Sequence, residues 1–176
     1  MISVVIPVSH EEPGLLDTLA ALVPAVADGL VRDLVLVSSA PNRFAEDVAD
    51  SAGCSVLVSP GQRAAQLAAT AVVLRAPWIL ALEPGLVPSG GWMDEIADFI
   101  ADSGQAQRAC ALTLVPRAGA SRLRPWLLNW RLAVTGRANP LQGLAAPARA
   151  MADGSALRLR AARLTSPVLD RRCADR

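Results

Sequence analysis

Lysine is absent from this 176-residue chain, histidine occurs once, at His10, and aromatic residues supply only 3% of the sequence. Without lysine no phosphate-cradling G-x-x-x-x-G-K-[ST] loop can be completed, and with one histidine in the chain neither a His-based triad nor a transition-metal site is expected. The three cysteines, Cys54, Cys110 and Cys173, are odd in number and far apart. They match neither a zinc spacing nor a disulfide framework and read as core or incidental thiols. No apolar run reaches the roughly 18–20 residues of a membrane span. The most apolar segment, Leu15–Val31, is interrupted by Asp17, Pro24 and Asp28. The first strand begins at Ile2, which leaves no room for a basic leader, so the expectation is a cytoplasmic protein. Glycines are missing after that strand too: Val8-Ser9-His10-Glu11 stands where a dinucleotide fingerprint would need them.

What is present in excess is arginine, and it is unevenly placed. Residues 1–104 hold 13 acids and 4 arginines, net −9, whereas residues 105–176 hold 3 acids and 13 arginines, net +10. The planar guanidinium fork suits phosphate oxygens. The back half therefore suits a phosphate, an anionic membrane, nucleic acid, or the acidic front half itself. Nucleic acid is the least expected of these, because only Trp126 and Trp130 interleave the arginines.

The apolar pattern alternates between two periods. Ile2–Pro7 is a near-continuous β-branched run, as in a strand buried on both faces of a parallel sheet. Glu12–Val31 has helical spacing, with Pro24 expected to kink or shorten it. Asp33–Val37 reads as a strand, Phe44–Ala52 as a helix stopped by Gly53, and Cys54–Ser59 as a strand. Gln62–Arg75 reads as a helix, Trp78–Leu82 as a strand, and Gly91–Ser103 as an amphipathic helix. This is a βαβαβαβ layout, hence an α/β fold with a largely parallel sheet. Gln107–Val115 is a further strand and Arg122–Val134 a basic amphipathic helix with Trp126 and Trp130 one turn apart. Asn139–Met151 reads as loop, Ser155–Leu164 as a weak element and Ser166–Arg176 as a charged tail.

The stretch Pro77–Trp92 carries the clearest chemical signal. A buried strand there runs into a turn bearing one carboxylate, Glu83, followed by Pro84 and Gly85. Ligands of open α/β sheets bind outside the carboxyl ends of the strands.

Several segments in the right order resemble the family 2 glycosyltransferases. Val4-Val5-Ile6-Pro7-Val8-Ser9-His10-Glu11-Glu12 is similar to the opening V-V-I-P-x-x-N-E-E of that family, with His10 in place of Asn. Gly61–Ala71 is similar to G-R-G-A-Q-M-N-A-G-A in a bacterial subgroup, matching at Arg63 and Gln66. Leu82–Trp92 is similar to L-D-A-D-x-x-x-P-x-G-W, but Glu83-Pro84-Gly85 keeps one acid of the D-x-D and loses the other. The second strand ends Val37-Ser38-Ser39-Ala40-Pro41, where the family usually has V-D-D-G-S or V-D-G-G-S. Gln142-Gly143-Leu144 and Met151-Ala152-Asp153 are faintly similar to D-Q-G-L and M-E-D, with a shorter segment between them.

The resemblance implies a GT-A-like three-layer sandwich over residues 1–176. Residues 1–104 would form the nucleotide-sugar half and residues 105–176 a shortened acceptor-side half. It implies transfer of a sugar from a nucleotide diphosphate-sugar to an unidentified acceptor hydroxyl. Pro7, Glu11, Ser38, Arg63 and Gln66 would bind the nucleotide. Glu83 would be the metal ligand for weakly held Mg²⁺ or Mn²⁺, and Asp153 the catalytic base. Two alternatives remain open: a catalytically silent module of the same fold, and a protein whose arginine-rich half contacts an anionic membrane or nucleic acid.

Overall fold

The computed structural model describes residues 1–10, 12, 14–103, 108–116, 123–138 and 142–171. Strand β1 (Ile2–Pro7) is buried along its whole length, as its unbroken apolar run requires. Helix α1 (Gly14–Ala27) follows and continues one turn past Pro24, which lies on its exposed side. Then come β2 (Val31–Ser38), α2 (Arg43–Ala52), β3 (Ser55–Val58) and α3 (Arg63–Val73). The side chain of Asn42 caps α2 by accepting the Ala45 N–H at 3.2 Å. Gly53 ends that helix at φ 68, a conformation that costs a residue with a Cβ.

The next strands, β4 (Trp78–Leu82) and the short β5 (Leu86–Pro88), flank the Glu83-Pro84-Gly85 turn, and α4 (Trp92–Ser103) follows. The back half supplies β6 (Ala109–Pro116), α5 (Leu123–Thr135), β7 (Gln142–Pro147), α6 (Ala148–Ala152), a single 3₁₀ turn (Ser155–Leu157) and β8 (Ala161–Asp170). All eight strands form one sheet in the order β3-β2-β1-β4-β7-β6-β8-β5. Pairings β1–β2, β1–β4, β2–β3 and β6–β8 are parallel; β4–β7, β5–β8 and β6–β7 are antiparallel.

The alternation of side chains sorts the core into two layers. Val4, Ile6, Leu80 and Leu82 face one way, against Leu15 and Leu22 of α1, Ala45 of α2 and Ile96 of α4. Val5, Ile79 and Ala81 face the other way, against Leu67 of α3, Leu132 of α5 and Met151 of α6. The result is an α/β/α sandwich, as the alternation of elements predicts.

Two back-half expectations are overturned. Residues 142–147 are a strand rather than loop, and this strand is buried throughout because it lies between β4 and β6. Its sequence, QGLAAP, lacks the β-branched residues that announce a strand; small size is what this position selects. A Cβ on Gly143, at φ 69, would lie 3.0 Å from Leu112 Cδ1. The supposed charged tail is also strand as far as Asp170. Leu164, Ser166, Val168 and Asp170 alternate inward, a period of two that the two polar residues hide from hydropathy.

Helix α4 is tied to β8 by one carboxylate. Glu95 Oε1 accepts the Thr165 N–H at 2.6 Å and the Thr165 hydroxyl at 2.8 Å, while Oε2 accepts the Ser166 N–H at 2.7 Å. Burial alone would raise its pKa, but hydrogen bonds from Ser166 and Thr165 outweigh it and bring the group from 4.5 to about 2. The folded-state value is depressed, so the stabilisation is complete above the unfolded value and is lost as pH falls from about 4.5 through about 2. Glu95→Gln should therefore lower unfolding free energy by about 1–2 kcal/mol near neutral pH. The gap from wild type should close toward pH 2, as read by urea unfolding across pH; a gap that does not narrow refutes the clamp.

Candidate functional site

The sheet reverses its winding between β1 and β4, since β2 and β3 lie on one side of β1 and β4 on the other. Open α/β sheets place ligands at the carboxyl ends of strands near such a point. Pairing of Val5 with Ala81 brings Pro7 and Glu83 to one level at that end. Pro7 pairs with Val37, and the Val8 N–H bonds the Val37 carbonyl at 2.8 Å, so Ser38 lies beside the β1 loop. The Ser59 N–H donates to the Ser38 carbonyl at 2.8 Å and brings in the end of β3.

Here the chain forms a cleft of about 560 Å³, lined by Ser9, His10, Ser38 to Asn42, Arg43 and Phe44. That volume lies within the range of about 300–1,000 Å³ usual for small-molecule sites. Arg63 reaches across from the first residue of α3, donating from Nη2 to Ser9 Oγ at 2.9 Å. The β1 loop is itself set by Glu12, whose Oε1 accepts the Ser9 N–H at 3.0 Å. Gln62, preceding α3, makes no side-chain cap bond, so the helix offers uncapped N–H groups beside Arg63. Such a terminus plus a guanidinium suits an anion. A second groove, of about 470 Å³, runs between α1 and β2 past Cys54 and is mainly apolar, which does not suit a charged ligand.

The predicted site residues fare differently. Pro7 and Ser38 are both buried at the strand ends, and the Ser38 hydroxyl donates to the Ala40 carbonyl at 2.7 Å, fixing the cleft wall. Glu11 lies outside the described residues. Gln66 is 3% exposed, and its Nε2 donates to the Ser59 carbonyl at 3.1 Å, tying α3 to the end of β3. Its amide thus faces inward rather than into the open cleft. Asp153 sits after α6, which begins with the Ala148 N–H on the Pro77 carbonyl at 2.8 Å, at the amino end of β4. Glu83 follows the opposite end of the same strand. Asp153 Oδ1 accepts the Ser155 N–H at 2.7 Å in a turn. Hydrogen bonding from Ser155, with Arg158 nearby, lowers its pKa. A general base works best near the operating pH, so this carboxylate is poorly tuned for proton abstraction.

Sequence reasoning passed over Ser9, Asn42 and Phe44, although the first lies inside a quoted motif and Asn42 inside the polar turn after β2. Their signal was position alone. It also missed what happens at Gly85. The Gly85 N–H donates to the Gly14 carbonyl at 3.0 Å and to Thr18 Oγ1 at 2.9 Å, and its carbonyl accepts the Arg171 N–H at 2.8 Å. Gly85 is buried at φ 84. The backbone where a second acid of D-x-D would stand is therefore turned into α1, in a conformation an aspartate adopts only at a cost. Among the described residues no three His, Cys, Asp or Glu side chains cluster to hold a metal ion. Among the described residues Glu83 alone does not make a protein-held site; a divalent cation beside it would need substrate phosphate oxygens to complete its shell.

No family model matches the sequence, and no curated protein matches it. Solved structures do. Glucosyl-3-phosphoglycerate synthase from Mycobacterium tuberculosis, in complex with Mn²⁺ and UDP-glucose, superposes with a TM-score of 0.62 at 20% identity, over 95% of this chain and 69% of that one. The same enzyme with phosphoglyceric acid gives 0.63 at 20% identity, over 95% and 70%. Its complex with Mg²⁺ and UDP gives 0.63 at 18% identity, over 95% and 69%. The chain has the GT-A fold. At this identity the likeness carries the fold, and the chemistry must be argued from the residues.

Proposed function

We propose that the protein binds a nucleotide diphosphate-sugar in the cleft between the β1 and β2 loops and transfers its sugar to an acceptor hydroxyl, in the manner of a family 2 glycosyltransferase. One observation carries the reading: Arg63 and the uncapped start of α3 face the β1 loop at the carboxyl end of the sheet, through the Arg63–Ser9 bond. That is where a diphosphate needs positive charge, and the adjoining cleft leaves room for a nucleoside. That solved structures of this fold are complexes with UDP-glucose and UDP supports the class of ligand.

In this arrangement Ser9, Ser38 and Asn42 would orient the nucleoside. Arg63 would hold the diphosphate and offset charge as it departs from the anomeric carbon. Glu83, half-buried at the end of β4, would face the sugar side. Asp153 is given no part in the proton transfer.

The diversion of Gly85 favours a second reading, in which the cleft binds a nucleotide and transfers nothing. Calorimetric titration with UDP, GDP and ADP, each with and without Mn²⁺, addresses binding. Binding of at least one nucleotide is expected, with little gain from Mn²⁺; failure of all three removes the donor site. Incubation with UDP-glucose and GDP-mannose, following release of free nucleotide, then separates transfer or donor hydrolysis from silent binding.

A further inference from the structure

Helix α5 is apolar on two opposite faces. Pro125 and Leu132 are buried against the sheet. Leu123, Trp126, Leu127, Trp130 and Val134 recur at helical spacing along the other side and are 70%, 59%, 51%, 54% and 59% exposed. The Trp126 and Trp130 rings stack on one another at 6.4 Å and 14°, and so form a single broad indole surface. A stripe this apolar on a folded surface marks contact with another apolar phase.

Charge identifies that phase. Residues 117–137 contain five arginines, Arg117, Arg122, Arg124, Arg131 and Arg137, and no acid. Between Asp102 and Asp153 the chain has no aspartate or glutamate at all. The exposed Arg131 and Arg137 flank the stripe, and Arg160 packs beside Gly136 at the carboxyl end of the helix. These three side chains make no ion pair among the described residues. Arg108–Asp102 and Arg171–Asp17 are ion pairs that join the arginine-rich half to the acidic half, and neither involves these three. Internal neutralisation thus leaves Arg131, Arg137 and Arg160 available.

We propose that α5 docks the protein on an anionic lipid surface, lying flat with its Leu/Trp stripe among the acyl chains and its arginines at the headgroup phosphates. Tryptophan favours the boundary between water and hydrocarbon, and arginine next to it adds attraction to anionic lipid. No helix among the described residues is long and apolar enough to cross a membrane, so the contact is superficial.

Co-sedimentation of the full chain with vesicles of phosphatidylcholine, alone or mixed with phosphatidylglycerol, tests this. Binding is expected on the anionic vesicles and should fall with added salt. Tryptophan emission should shift to the blue from Trp126 and Trp130, since Trp78 and Trp92 are already buried. Trp126→Ser with Trp130→Ser should weaken binding roughly tenfold or more. Arg131→Gln and Arg137→Gln should each weaken it about fivefold on anionic vesicles only. Should the double tryptophan variant lose structure, iodide quenching of the wild type with and without vesicles reads the same burial. Equal recovery on neutral and anionic vesicles, no recovery, or unchanged quenching overturns the proposal. So does a dimer that the tryptophan variant dissociates, because a second copy would then cover the face.

Discussion

Arg63→Ala should weaken nucleoside diphosphate binding by about ten- to a hundredfold, the span of a lost charge-assisted contact of roughly 1.5–3 kcal/mol. The guanidinium is half-exposed and its one described side-chain partner is the Ser9 hydroxyl, so its removal leaves the core untouched. Melting should therefore stay within a degree or two of wild type while affinity collapses. The loss should be larger for a diphosphate than for the matching nucleoside, because only the former presents the charge. Arg63→Lys should recover part of the affinity, since it restores charge without the two-pronged geometry. Equal affinity of wild type and Arg63→Ala for every nucleotide that binds would take the residue out of the site, and the placement of the diphosphate with it.

Gly14→Ala is expected to be the most damaging small substitution in the front half. A Cβ there would lie 2.7 Å from Gly85 Cα and 2.9 Å from Gly85 N, and both are backbone atoms that cannot swing aside. Relief requires the turn after β4 to retreat from α1, which lengthens the bonds from the Gly85 N–H to the Gly14 carbonyl and to Thr18 Oγ1. Overpacking and the weakened bonds together should cost about 3 kcal/mol, a fall in melting midpoint of about 6–12 °C for a domain of this size. Two controls separate the causes. Thr18→Val removes one acceptor at constant shape and should cost about 1 kcal/mol. Gly29→Ala has φ 73 but nothing within 4 Å, so it isolates the backbone cost alone. Calorimetry showing Gly14→Ala as stable as Gly29→Ala would mean the turn is not wedged against the helix.

The front half was readable because its chemistry is local. The ends of β1 and β4 coincide with the apolar runs Ile2–Pro7 and Trp78–Leu82, and Gly53 stops α2 where a left-handed residue is needed. Residues 142–147 and 161–170 were not readable in the same way. What makes them strands is the company of β4, β6 and β5, whose paired residues lie 33 to 84 positions away, and neither QGLAAP nor AARLTSPVLD advertises it. The candidate site divides along the same line. Arg63 and Glu83 stood out as charges at element ends. The pairing of Arg63 with Ser9, and the turning of Gly85 toward Gly14, depend on contacts across 54 and 71 positions that no local pattern encodes. Asp153 shows the converse: a plausible motif match whose carboxylate the fold engages in a turn.

Asn129 settles a question that hydropathy leaves open for α5. A helix with two apolar faces has no preferred roll about its axis on hydrophobic grounds alone. Asn129 Oδ1 accepts the Leu114 N–H at 3.1 Å and its Nδ2 donates to the Leu114 carbonyl at 2.7 Å, so one side-chain amide mimics a neighbouring strand. Gln142 Nε2 then donates to the same Oδ1 at 3.2 Å, at the first residue of β7. Rolling the helix to hide its tryptophans would break both bonds to Leu114 and leave a buried backbone amide without a partner, a loss that burial of the indoles would have to exceed. One polar residue thus acts as a rotational key: it removes a degeneracy between two near-equivalent packings and holds the indole stripe permanently outward.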